Sequence, residues 1–340
     1  MISALLGVGL AALLIWGWNN ESEETKAAYY HNEGKIFGTY YNIRYEAASD
    51  LHDSITAALQ AFDNSLSMFN SHSVLSAVNA NRNTATDALF EQMWCEATEV
   101  YTLSGGAFDI TVAPLVNYWG FGRIQKTDPD RAADRVQTDI DSLRQFVGFD
   151  KVELIEHHVH KSDPRVQIDG GAVAKGQACD MIAKLLREQG CTNYLVDIGG
   201  EVVAKGVNDK NEPWRIGVTK PNLNNEGAQS ELQEILSVSD ICMATSGNYR
   251  NFYYEGTERR SHTIDPRTGY PVQHSLLSAT VVSSSCMRAD ALATACMVLG
   301  AEEGLQLIDR AQDAACYFIV AKNDSLVVLS SPNWEEMIKK

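Results

Sequence analysis

The sequence predicts a mixed α and β fold, and three observations carry that prediction. Apolar residues recur at helical spacing in several segments, as in Leu51, Ile55, Leu59, Phe62, Leu66 and Phe69. Short runs rich in β-branched and aromatic residues, NYLVDIGG, WRIGV and ACYFIVAKNDSLVVL, read as strands. The two patterns alternate to the end of the chain, with no internal repeat, low-complexity tract or clear interdomain linker. At 340 residues and 45% hydrophobic content the chain can bury a sizeable core, as one large domain or two smaller ones.

The elements follow in order. KIFGTYYNIRY is a strand broken at Gly38, and Asp50 is the expected cap of the helix carrying Leu51 to Phe69 at its apolar positions. A second helix starts near Thr86 and stops at Gly105 and Gly106. Asp128 and Pro129 open a polar helix running to about Gln145. Residues 165–168 look like a strand feeding a helix that begins near Gly176, with Cys179, Ile182, Ala183 and Leu186 on one face. ILSVSDICMA is a further strand candidate, residues 220–234 form a polar exposed insertion, and the last hairpin turns at Asn323 and Asp324.

Residues 2–18 carry no charge and end in the Trp16 and Trp18 pair, which suits a membrane interface. A signal-peptide core is the other reading, but the basic leader and a clear cleavage site are missing. The division expected is an anchor or signal segment over residues 1–20, a polar linker over 21–34 and the main body over 35–335. The acidic ESEE stretch that follows the anchor favours a body exposed outside the cytoplasmic membrane, on the periplasmic side. The net charge of −16 argues against a surface that neutralises nucleic-acid phosphates. Seven cysteines, none in a CxxC pair, read as buried thiols rather than a zinc site.

Several segments carry chemistry. DGGAVAKGQACD, residues 169–180, places glycines at a loop leading into a helix, where unpaired N–H groups and the mobile cation Lys175 would seat an anion; an ordinary strand-to-helix turn is the other reading. Asp109, in the apolar run GAFDITVAPLVNYWGFG, either bonds N–H groups at a turn or meets a cation. TSGNYRNFYY supplies hydroxyls at a Gly turn, and SHTIDPRTGYP puts His262 on a strand that breaks into a turn. In RADALATACMVLG, Asp290 and Thr294 lie four residues apart on one helical face. They are either a pair of oxygen ligands suited to Mg²⁺ or Ca²⁺, or a cap and a self-bonded Thr.

Taken in order, FGT, SMFNSHSVLSAVN, GAFDITVAPLVNYWGFG, DGGAVAKGQACD, LVDIGG, ATSGNYRN, HTIDPRTGYPV and ADALATA resemble the ApbE family of FAD:protein FMN transferases, formerly described as thiamine-biosynthesis lipoproteins. The resemblance spans about residues 36–300. It implies a single α+β body, T-fold-related, of mixed sheets flanked by helices. It also implies that FAD is held by Phe37, Phe69, Ala107, Phe108, Asp109, Asp169, Lys175 and Ile264, with Phe37 standing where the family often has Met. The implied Mg²⁺ ligands are the backbone oxygen of Ala172 and the side chains of Asp290 and Thr294.

The activity so implied is Mg²⁺-dependent transfer of FMN from FAD to a Thr or Ser hydroxyl of an acceptor protein, with release of AMP. His262 is the candidate general base, since imidazole titrates near neutral pH. The family's acceptors, such as subunits of redox complexes, carry a D-x-x-T/S-x-A-T/S motif, of which this chain has no clear copy. A Mg²⁺-dependent FAD pyrophosphatase and a non-catalytic flavin-binding protein are the alternatives.

Overall fold

The computed structural model describes residues 27–122, 133–221, 232–248, 252–255, 258–323 and 325–339. The expected anchor lies outside them. Among the described residues no helix is long and apolar enough to cross a membrane.

An eight-stranded sheet forms the centre. In spatial order it runs β1 (Ala28–Ile36), β2 (Thr39–Ala47), β5 (Tyr194–Ile198), β6 (Glu201–Lys205), β9 (Ile241–Gly247), β12 (Leu276–Ser283), β13 (Ala315–Lys322) and β14 (Ser325–Ser330). Every one of these pairings is antiparallel, where mixed sheets were expected. Two-stranded hairpins β3 (Val152–Ile155) with β4 (His158–Lys161), β7 (Trp214–Thr219) with β8 (Leu232–Val238), and β10 (Phe252–Glu255) with β11 (Glu258–Ser261) stand outside it.

The period of two in the strands assigns each face to its own core. Val203, Val281 and Phe318 enter the larger core, beneath helices α1 (His52–Leu66), α3 (Ala88–Leu103), α6 (Ala174–Glu188) and α7 (Cys286–Leu299). Their neighbours Val202, Val282, Tyr317 and Ile319 face the other way, against Trp214, Ile216 and Trp334. With both faces covered, all eight residues of β12 are buried. Helix α7 is itself buried almost all round, and the acid it carries is buried with it.

Several expectations need correction. Residues 28–34, assigned to the linker, belong to β1. ILSVSDICMA is two strands, because Ser239 and Asp240 turn the chain from the β7–β8 hairpin into the main sheet. Leu232 to Glu234, placed in the insertion, begin β8, and the rest of that insertion from residue 222 lies outside the described residues. Residues 165–168 form no strand: Asn79 bonds both the N–H and the C=O of Ile168, at 2.7 and 2.8 Å, doing with one side chain what a neighbouring strand would do. The polar helix spans Ala133–Leu143, its expected start falling outside the described residues.

Asp50 does not cap α1. The N-cap is Leu51, and Asp50 instead accepts from the Tyr45 hydroxyl at 2.6 Å and the His52 N–H at 3.0 Å. That helix ends at Leu66, which leaves Phe69 in the following turn with 65% of its surface exposed. Helix α3 starts two residues later than expected, with the Asp87 side chain accepting the Phe90 N–H. Among the cysteines Cys95 is exposed, on the outer face of that helix.

Candidate active site

Helices α6 and α7 meet at an unusually small separation, and the meeting point is Gly176. A Cβ there would lie 2.3 Å from the carbonyl oxygen of Cys286. From the other side Asp180 accepts the N–H groups of Cys286 at 3.0 Å and Met287 at 2.8 Å, closing the start of α7. The close approach lets the Gly176 N–H donate to Asp290 Oδ2 at 3.1 Å, so the buried carboxylate is partly satisfied by the neighbouring helix. Gly176 lies in the first turn of α6, which begins at Ala174 rather than at Gly176 itself.

The expected anion seat at this helix start does not form as written. Gly171 N–H donates to Asp169 Oδ1 at 2.7 Å, and the Val173 and Ala174 N–H groups both donate to the Gly170 carbonyl. Those donors are consumed internally, as in an ordinary turn. Nor is Lys175 mobile: its Nζ lies 2.8 Å from Glu201 Oε1 and 3.6 Å from Asp290 Oδ1. Burial alone would lower the Lys175 ammonium, but Asp290 and Glu201 together hold it above the ordinary lysine range. Burial pushes the Glu201 carboxyl up, with the Lys175 contact opposing.

Around this triad opens a cleft of about 380 Å³. Ala172, Lys175, Asp290 and Thr294 line it, joined by Asp169, by Ala107, Phe108 and Asp109, and by His262 and Ile264. Thr294 lies one helical turn beyond Asp290, and its hydroxyl is 3.1 Å from that of Ser246 on β9. The tripeptide around Phe108 is fixed by the Ser104 hydroxyl, which accepts the Phe108 N–H at 3.0 Å. It is tied to Asp169 by that residue's N–H, which donates to the Ile110 carbonyl at 2.6 Å.

Asp109 takes the turn-bonded form: one oxygen accepts both the N–H and the hydroxyl of Thr111 at 2.7 Å. Burial nevertheless pushes its carboxyl above the usual range, and the same holds for Asp169. His262 sits one residue past β11 instead of on a strand, beside the Phe121 ring. Its segment is carried by a small core of Leu115, Trp119, Ile140, Val147 and Ile264, in which Trp119 donates to the Gly269 carbonyl at 2.8 Å.

Two expected flavin contacts are not cleft-lining. Phe37 has φ of 53° and Gly38 of 75°, forming a two-residue hairpin turn that turns the Phe37 ring onto Phe62 of α1, with centroids 5.2 Å apart. Phe69 lies beside the same turn, exposed. Sequence reasoning also missed residues that line the cleft. Glu201 is the main one, an acid directly after the Gly199 and Gly200 pair and at the head of an otherwise apolar strand, which was the available signal. Met68 lines the cleft too, in a segment read only for its aromatic neighbour.

The donor chemistry fits a hard divalent cation. Among the described residues no three His, Cys, Asp or Glu side chains form a metal cage. The cleft does combine the Asp290 carboxylate, the Thr294 hydroxyl and the Ala172 position, and Glu201 Oε2 is buried with no hydrogen-bond partner among the described residues. An orphaned carboxylate oxygen beside a second carboxylate suits Mg²⁺ or Ca²⁺ better than zinc.

A model described as the ApbE family matches residues 37–318. The chain belongs to that family. It is 35% identical over 345 residues to a Vibrio cholerae protein named FAD:protein FMN transferase, covering 98% of each chain. A Haemophilus influenzae protein of the same name is 32% identical, with 99% of this chain and 98% of that one covered. The solved structure "Flavin Transferase ApbE from Vibrio cholerae" superposes with a TM-score of 0.80 at 33% identity, over 92% of this chain and 99% of the other. In this ApbE family member the segments that line the cleft are drawn from points as distant as Met68 and Val298, nearly the span of the family match.

Proposed function

We propose that the chain is an FAD:protein FMN transferase that moves the FMN moiety of FAD onto a Thr or Ser hydroxyl of an acceptor protein and releases AMP. One observation carries this reading: oxygen donors, a lysine and a histidine converge in a single cleft, in a chain whose full-length relatives bear that name. Phosphoryl transfer asks chiefly for positioning and for neutralisation of charge on the phosphate oxygens. Asp290, Thr294 and the Ala172 carbonyl would hold Mg²⁺, which supplies that neutralisation when bound.

The chain's own groups do the rest. His262 accepts the proton of the acceptor hydroxyl as its oxygen bonds to the FMN-side phosphorus. The pyrophosphate P–O bond breaks, and its electron pair leaves with AMP. Lys175 adds positive charge beside the phosphates. Phe108, Ile110, Val116, Phe121 and Ile264 give the cleft apolar walls that exclude water, so that an acceptor hydroxyl is favoured over hydrolysis. The acceptor carries the D-x-x-T/S-x-A-T/S motif, as subunits of redox complexes do. Residues 2–18, read as an anchor, hold the body on the periplasmic side of the inner membrane.

Chromatography of the nucleotide products tests the reaction class. With FAD, Mg²⁺ and acceptor present, AMP forms and free FMN does not. Free FMN in amounts equal to AMP would make the protein a pyrophosphatase, and intact FAD a flavin-binding protein.

A further inference from the structure

Glu201 is only 3% exposed, at the head of β6, and faces the same point as Asp290, which is 2% exposed. Between the two carboxylates stands one cation, the Lys175 ammonium. Glu201 Oε1 accepts from it at 2.8 Å, Asp290 Oδ1 lies at ion-pair distance, 3.6 Å, and Asp290 Oδ2 takes the Gly176 N–H, but Glu201 Oε2 has no partner among the described residues. Two buried carboxyl groups share one ammonium, and a buried oxygen without a donor is costly. A divalent cation would satisfy that oxygen and engage both carboxyl groups in their charged form.

Gly199, with φ of +68°, packs closely along the Lys175 chain, where a Cβ would come within 3.3 Å of Lys175 Cδ and 3.0 Å of Thr39 Cγ2, so the open side of the lysine is the cleft. Lys175 itself is 31% exposed, toward the cleft. We propose that Glu201 completes the cation site with Asp290 and Thr294, and that a divalent cation entering there releases the Lys175 ammonium toward the phosphates of the bound dinucleotide. Glu201 is thus a positioning residue that holds the lysine until the cation arrives. This inference rests on the transferase reading for the identity of the phosphates.

The test is Mn²⁺ binding, followed by electron paramagnetic resonance on the purified full chain without FAD, for wild type, Glu201→Gln and Lys175→Met, with folding checked by circular dichroism. Glu201→Gln is expected to bind Mn²⁺ at least about tenfold more weakly. Lys175→Met is expected to bind it several-fold more tightly, because no ammonium competes for the carboxylates. Unchanged affinity in Glu201→Gln, weaker binding in Lys175→Met, or no binding by wild type overturns the inference. If Glu201→Gln does not fold, the sign of the change in Lys175→Met decides. Flavin transfer by wild type is read separately on the same preparation. Its absence beside the expected Mn²⁺ affinities would sink the transferase reading and leave the cation site standing.

Discussion

Gly176→Ala adds one methyl group at the point where α6 crosses the start of α7. The new Cβ would lie 2.3 Å from the Cys286 carbonyl oxygen, 2.6 Å from its carbon and 2.8 Å from the Met287 Cα. Ordinary contact begins near 3.4 Å, so the helices must part by about 1 Å, and the opposing atoms are backbone that no rotamer change can move aside. Overpacking of this kind costs about 1–3 kcal/mol, and contact with backbone puts it at the upper end. Alanine recovers about 1 kcal/mol of helix propensity, which leaves a net loss of about 2 kcal/mol. In a chain of this size that is about 3 °C in Tm. The same displacement lengthens the Gly176 N–H bond to Asp290 and the Asp180 bonds to α7, so Mn²⁺ affinity should fall together with stability. Thermal and urea unfolding with Mn²⁺ titration measure both. A variant as stable as wild type, or more so, would show that helix propensity outweighs the crossing and that the glycine serves no packing role.

Other outcomes follow from the same geometry. Replacing His262 with Asn should slow transfer about 100-fold while leaving FAD binding intact, and wild-type rates across the neutral pH range would remove it as general base. FAD affinity should fall strongly with EDTA, because the chain carries a net charge of −16 and its helix-start N–H groups are already used; calorimetry with and without chelator reads this, and equal affinities contradict the cation site. Asp109→Asn keeps an acceptor for Thr111 and removes a charge that burial disfavours. The folded carboxyl titrates above 3.8, so its penalty is absent below that pH and grows as pH rises toward the folded value. The variant should therefore melt higher than wild type at pH 7 and equal to it below 3.8. A deficit that is the same at both pH values would show that the charge makes no difference.

The parts of the site that were legible in the sequence were those set by local periodicity. Asp290 and Thr294 share a face because a helix repeats every 3.6 residues, and the apolar residues around them announced that the helix is buried. Hairpin β13–β14 was legible from its turn between two runs of strand-forming residues. What could not be read was anything decided by distant pairing. Residues 165–168 have the composition of a strand, yet a single asparagine 89 positions away supplies both of the hydrogen bonds that Ile168 makes. Ser239 and Asp240 separate two strands that belong to different sheets, and no local pattern says so. The glycine run after Asp169 read as an anion seat because free N–H groups are the usual consequence of such a loop. Here Asp169, Gly170 and Asp290 take them. Glu201 went unread for the opposite reason: its neighbours describe an ordinary strand, and only the fold brings Lys175 to it.

The full chain, incubated with FAD, Mg²⁺ and a domain carrying the D-x-x-T/S-x-A-T/S motif, tests the central claim when the acceptor is weighed intact by mass spectrometry. The acceptor should gain the mass of one esterified FMN, and that gain should vanish with EDTA and with Asp290→Ala. An acceptor that gains nothing while FAD is split to free FMN and AMP, or that gains FMN equally with Asp290→Ala, would contradict the account.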